Sequence, residues 1–170
     1  MSKFFKNILS LLFVSGIIAC NGENNNATVT DNKTAESISK LKLADLNGQS
    51  IDLEQYNNKT VFVNFWATWC KPCLQEMPSI QRAKEVLKHE DIVFLFASDE
   101  TAGQIEGFKS VHDYDFNYVR AENLEELNIM ALPTTFIFDK KGKLVFSEMG
   151  YKKWDDKKNI EMILNIAKQK

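Results

Sequence analysis

The chain has 170 residues, 44% of them hydrophobic, with 21 basic against 23 acidic side chains and a net charge of −2. That length sustains one ordinary domain with its own core. The mild acidity, with no cluster of lysine or arginine anywhere, argues against a nucleic-acid partner.

Lys3 and Lys6 precede an apolar run from Ile8 to Ala19, interrupted only by Ser10, Ser15 and Gly16. At about 12 residues it is too short for a ~30 Å hydrocarbon core, which takes about 20. A positive start, a short apolar middle and a small final residue predict a secretory signal over residues 1–19. The run ends Ile17-Ile18-Ala19-Cys20 and resembles a bacterial lipobox, whose cysteine becomes the lipidated first residue of the mature chain. The alternative is an uncleaved anchor, or an ordinary signal that leaves Cys20 a free thiol. Lipidation of Cys20 would leave Cys70 and Cys73 as a closed pair. It would also place the folded part outside the cytoplasm on the membrane, periplasmic or cell-surface side, where disulfides persist, held stably by more than one acyl chain. From Asn21 to Ser37 (NGENNNATVTDNKTAES) the only aliphatic side chain of any size is Val29. Residues 20–37 are therefore predicted to be a flexible tether, because they bury too little apolar surface to offset the entropy of ordering.

A single domain is predicted over residues 38–170, with no internal repeat. Leu41–Leu53 reads as two short segments around the turn Leu46-Asn47-Gly48-Gln49, a hairpin signal. Thr60–Trp66 (TVFVNFW) is a dense β-branched and aromatic run, the pattern of a buried central strand. A helix follows over Lys71–Lys88, with Leu74, Met77, Ile80 and Leu87 at helical spacing. Pro78 inside it removes one backbone hydrogen bond and is expected to kink it. Asp91–Ser98 is a second buried strand, Ala102–Val111 a helix, Phe116–Val119 a short strand and Asn123–Leu127 a brief helix. Thr134–Phe138 and Lys143–Ser147 are strands joined by the turn Asp139-Lys140-Lys141-Gly142, and a last helix covers Asp155–Ala167. Phe94, Phe96, Phe136, Phe138 and Trp66 are assigned to the core. The alternation is that of an α/β domain with a mixed sheet.

Two of the three cysteines stand in FWATWCKPC, residues 65–73, where the first long strand must give way to a helix. A structural Cys70–Cys73 staple would close so small a loop that its stabilising effect is at its least. Zinc takes four ligands, yet there is one CxxC, and His89 and His112 stand alone in polar surroundings. Covalent haem needs His after the second cysteine, where Leu74 stands. A dithiol that exchanges electrons fits the position. A thiolate at the first turn of a helix meets unpaired backbone N–H groups and the positive end of the dipole. Such surroundings bring a thiol pKa from ~8.5 into the range of about 3.5–7.5. Cys70 receives most of that help and is read as the attacking sulfur, with Cys73 resolving. Pro72 sits early in the helix, where its missing N–H costs nothing.

FWATWCKPC, the following Leu74-Gln75-Glu76-Met77-Pro78, and Leu132-Pro133-Thr134-Thr135-Phe136 together resemble the thioredoxin superfamily, and more narrowly its membrane-tethered TlpA/ResA-type thiol-disulfide oxidoreductases of bacteria. The resemblance implies a thioredoxin-like fold, a central mixed β-sheet flanked by helices with an extra N-terminal β-hairpin. It implies that Pro133 is a cis-proline facing the dithiol, that Leu132 offers backbone groups to an extended substrate, and that Trp69 is an apolar contact beside the site. It implies that Glu76 handles protons and tunes the thiols, against the alternative of a solvated helix acid. Thioredoxins with a buried aspartate six residues before the first cysteine differ from this chain, which has Asn64 there. An amide cannot accept the proton of Cys73, so water or Glu76 would serve.

The reading is an extracytoplasmic disulfide reductase with no cofactor beyond the Cys70–Cys73 pair and no metal. Its implied partners are disulfide-containing protein substrates and a membrane protein that supplies electrons, and reduction of apocytochrome c thiols is one task known in the family. The alternatives are a thiol oxidase or isomerase, and a non-catalytic thioredoxin-fold binding module. A peroxidase would carry Thr-x-x-Cys, which is missing around Cys70.

Overall fold

The computed structural model of the protein describes residues 37–169. The expected signal, Cys20 and the tether as far as residue 36 lie outside the described residues. Among the described residues six strands form one mixed sheet in the order β1-β4-β3-β2-β5-β6. They are β1 (Leu43–Ala44), β2 (Thr60–Phe65), β3 (Ile92–Ser98), β4 (Asn117–Ala121), β5 (Thr134–Phe138) and β6 (Leu144–Met149). The helices are α1 (Lys71–Val86), α2 (Ala102–Val111) and α3 (Lys157–Lys168). β2, β3 and β4 run parallel, and β1, β5 and β6 are antiparallel to their neighbours.

β2 is buried along its whole length because it packs on both faces. Its side chains alternate: Phe62 joins a cluster with Cys73, Met77 and Ile80 of α1, Ile105 and Phe108 of α2, and Ile163 of α3. Val61, Val63 and Phe65 face the opposite way, with Leu95, Phe136 and Phe138. The helices α1, α2 and α3 thus serve one face. Both crossovers, β2-α1-β3 and β3-α2-β4, step in the same direction, and right-handed connections then put their helices on the same side. The second face is covered by the irregular chain around Ile38, Ile51, Leu53 and Tyr56 and by Leu124–Ile129. Phe94 and Phe96 belong to the helix-side cluster, Phe136 and Phe138 to the other.

The N-terminal hairpin is short. Its turn closes as the sequence signals, with Gly48 at φ 83° and the Asp45 carboxylate accepting from the N–H groups of Asn47 and Gln49. The second limb makes one bridge, Ala44↔Ser50, because Asp52 then caps a 3-10 turn over Leu53–Tyr56. β1 gains its place in the sheet by pairing with β4. Asn123–Leu127 is not the expected helix. One bond of helical span forms, from Leu127 N–H to Asn123 O, and the chain closes at once: Asn128 at φ 54° and the bond from Ile129 N–H to Leu124 O make a Schellman-type stop. A single turn lacks the length to repay helix nucleation. In α1 the helix runs on through Pro78 to Val86, and Ser79 Oγ donates to Glu76 O at 2.7 Å in that turn.

Trp154, the residue that ties the stretch before α3 to the sheet, is 1% exposed and packs edge-on against Phe62 at 4.7 Å. Trp154→Ala should cost about 3–5 kcal/mol, read as a lowered urea midpoint with an unchanged m-value.

Candidate active site

Cys70 is the N-cap of α1, and the backbone N–H of Cys73 points at its Sγ at 3.3 Å. Strand β2 ends at Phe65, and the chain makes one turn, Cys70 N–H to Ala67 O at 3.1 Å, before the helix starts. Lys71 and Pro72 fill the first turn, where the proline lacks no bond. Cys70 and Cys73 are joined as a disulfide with Cα atoms 5.3 Å apart. Cys70 retains 4% exposure and Cys73 none, so an incoming group meets Cys70 first.

One turn beyond Cys73, Glu76 is wholly buried, which excludes the solvated helix acid. It lies over β2 and β5, where the register sets Asn64 opposite Thr135 on the helix-facing side. Asn64 Nδ2 donates to Glu76 Oε1 at 2.7 Å and to Thr135 Oγ1 at 3.1 Å, and Lys152 N–H donates to Glu76 Oε2 at 3.1 Å. Burial raises the Glu76 pKa to about 7, against the opposing pull of the Lys152 N–H and the Asn64 amide. Asn64 therefore orients the acid.

The Leu132–Pro133 peptide is cis. Pro133 directly precedes β5, whose first residue, Thr134, pairs with Phe65 of β2 on one side and with Met149 of β6 on the other. The Pro133 carbonyl accepts from Gly150 N–H at 2.7 Å. Trp69, beside Cys70, is 72% exposed, whereas Trp66 is fully buried against Phe108 and Tyr118.

The stretch from Gly150 to Asp155 links these parts, and nothing in its sequence announces it. Gly150 holds the Pro133 carbonyl and Lys152 N–H holds Glu76; Trp154 N–H reaches Ser79 Oγ at 3.1 Å, and Asp155 pairs with Arg82 at 2.6 Å. Glu76, Ser79 and Arg82 recur every three residues on one side of α1, so one extended strap meets all three. Glu100, also unmarked in the sequence, accepts from both polar groups of Thr68. His89 and His112 are exposed and outside this site, although His112 is not in polar surroundings: its ring stacks on Phe108 at 3.9 Å. Among the described residues no group of three or more His, Cys, Asp or Glu side chains could hold a metal ion.

The family model described as Redoxin matches residues 25–164. The thiol-disulfide oxidoreductase ResA of Geobacillus thermodenitrificans is 30% identical over 152 residues, 85% of this chain and 87% of that protein. The ResA protein of Bacillus thuringiensis is 35% identical over 109 residues, 61% of this chain; that match spans only 62% of the relative's length. Among solved structures, the exposed lipoprotein thioredoxin of Streptococcus pneumoniae is similar, with a TM-score of 0.57 and 26% identity, covering 73% of this chain and 96% of that one.

Because Glu76 binds its proton more tightly folded than unfolded, stability should fall as the pH rises from 4.5 through about 7 and level off above. The difference from its ordinary value corresponds to roughly 3 kcal/mol. Urea unfolding of the disulfide form at intervals across that range should show this slope, and Glu76→Gln should flatten it.

Proposed function

Since the chain belongs to the Redoxin family, we propose that it is a thiol-disulfide oxidoreductase acting as a disulfide reductase on protein substrates. The observation that carries this reading is the Cys73 N–H aimed at Cys70 Sγ across the first turn of α1. In the reduced protein that donor and the helix end favour a thiolate on Cys70. The thiolate attacks one sulfur of a target disulfide, forming a mixed disulfide and expelling the other target sulfur as a thiolate that takes up a proton. Cys73 then loses its proton and attacks Cys70 Sγ, which restores the internal disulfide and releases the reduced target with two electrons gained. Glu76, buried one turn from Cys73 with a pKa near neutrality, is suited to receive the proton of Cys73.

Substrate would dock as an extended segment along Leu132 and cis-Pro133, with exposed Trp69 as an apolar wall. Leu132 makes no backbone hydrogen bond among the described residues, which leaves its groups free for strand-like pairing. Return of the dithiol to its reduced state requires an electron donor. An extracytoplasmic protein tethered through a lipid on Cys20 would draw on a membrane protein for it. The Ile17-Ile18-Ala19-Cys20 sequence supports that tether, as does the likeness to a pneumococcal protein named an exposed lipoprotein. Cytochrome c maturation is the substrate pathway to test first.

Cys70→Ser should abolish turnover of a model protein disulfide, whereas Cys73→Ser should accumulate a mixed disulfide that dithiothreitol releases. Thiol trapping in intact cells should find the pair mainly reduced; a mainly oxidised pair that rapidly oxidises reduced substrates would make the protein an oxidase instead. Mass spectrometry of detergent-extracted protein should show an acylated Cys20, and a secreted form with an unmodified Cys20 thiol would remove the anchor.

A further inference from the structure

Between Phe65, the last residue of β2, and the Cys70 cap stand Trp66, Ala67, Thr68 and Trp69. Trp66 N–H is held by Ala97 O at 3.0 Å, and the bond from Cys70 N–H to Ala67 O closes a β-turn with Thr68 and Trp69 at its centre. A central residue of such a turn has no backbone partner within it. Thr68 finds one elsewhere: its N–H donates to Glu100 Oε2 at 2.7 Å and its hydroxyl to Oε1 at 2.6 Å. Both oxygens of one carboxylate thus grip one residue, two positions before the reactive cysteine.

Glu100 is itself immobilised. It is 8% exposed; Ser98 Oγ donates to its Oε2 and accepts from its N–H, both at 3.2 Å, and Arg120 Nε donates to its carbonyl at 3.4 Å. Ser98 ends β3 and pairs in register with Arg120 of β4. The turn that delivers Cys70 to the helix end is therefore clamped to the rigid end of the parallel sheet, 32 residues further along the chain. We infer that Glu100 is a positioning residue for the Cys70 sulfur, acting through Thr68 to keep Sγ in line with the Cys73 N–H and Trp69 turned outward beside it.

A negative charge near a developing thiolate would oppose it, so the two conceivable effects of Glu100 differ in sign. As a clamp it speeds the chemistry of Cys70; as a bare charge it slows it. Glutamine separates them, because its carbonyl can accept from Thr68 N–H while its amide donates to a reoriented Thr68 hydroxyl. The geometry survives and the charge goes.

The inference rests on Cys70 being the attacking sulfur, and the test keeps the two apart. The reduced protein is alkylated with iodoacetamide below the midpoint of the Cys70 titration, where rate follows thiolate fraction, with the adduct mapped to Cys70. The thiol-disulfide equilibrium with glutathione is measured alongside. Glu100→Ala should slow alkylation about tenfold and move the equilibrium about tenfold toward the protein disulfide, ~30 mV for a two-electron couple. Glu100→Gln should recover most of both. An alanine variant equal to the parent, or alanine and glutamine variants that both react faster, would overturn the clamp while leaving the role of Cys70 standing. A parent protein no faster than free cysteine would overturn both. Should Glu100→Ala fail to fold, Thr68→Val, which keeps the backbone bond and loses the hydroxyl one, should slow alkylation roughly threefold; no change there would equally sink the inference.

Discussion

The meeting of a sulfur with the open end of a helix is the constraint on which the rest of this molecule turns. The first N–H groups of α1 have no partner within the helix, and Cys70 is placed as the cap that receives one of them. A serine or aspartate would cap the helix as well, but only cysteine turns the capping geometry into reactivity. For that geometry to hold, the chain must leave β2 at a set point, turn once and enter α1 at a set angle. The full burial of β2 and its five-residue register with β5 fix the first requirement, and the grip of Glu100 on Thr68 fixes the second.

Beneath the dithiol the protein keeps an acid in a place where acids are costly. Glu76 is enclosed by α1, β2, β5 and the strap from Gly150 to Asp155, and it has two directional donors rather than a cation. Lys152 supplies its backbone N–H, while its ammonium group is turned to Glu148 at 2.7 Å. An ion pair would hold the carboxyl charged well below neutrality. Burial raises its pKa, and the opposing hydrogen bonds from a backbone group and an amide leave it at about 7. The same strap touches the Pro133 carbonyl, so the acid, the cis-proline and the helix that carries both cysteines form one connected unit.

Much of this was legible in the chain. Hydrophobic runs of strand length and amphipathic stretches of helix length placed β2, α1, β3, α2, β5 and α3 close to their observed limits, because local pattern and tertiary burial agree there. Legibility failed where the outcome depended on what the rest of the molecule offers. Asn123–Leu127 has helical composition, but nothing extends it past one turn and Asn128 ends it. The second limb of the N-terminal hairpin has strand composition, but the cap at Asp52 draws it away after one bridge. The strap at Gly150–Asp155 acts mainly through backbone N–H groups, which every sequence contains and none reveals.

Sequence by itself determined the identity and spacing of the groups at the candidate site: a CxxC behind an aromatic strand, a proline-threonine segment some sixty residues on, and an acid three places after the second cysteine. Those depend on which atoms are present and on the short-range period of helix and strand. Tertiary structure alone decided what surrounds them. Whether Glu76 faces water or lies buried, whether Thr68 is loose or clamped, and which sulfur an incoming group meets first depend on residues brought together from distant parts of the chain. The physical reason is that burial and hydrogen-bond partnership are properties of packing in three dimensions, and a linear pattern specifies them only where the partners are near neighbours along it.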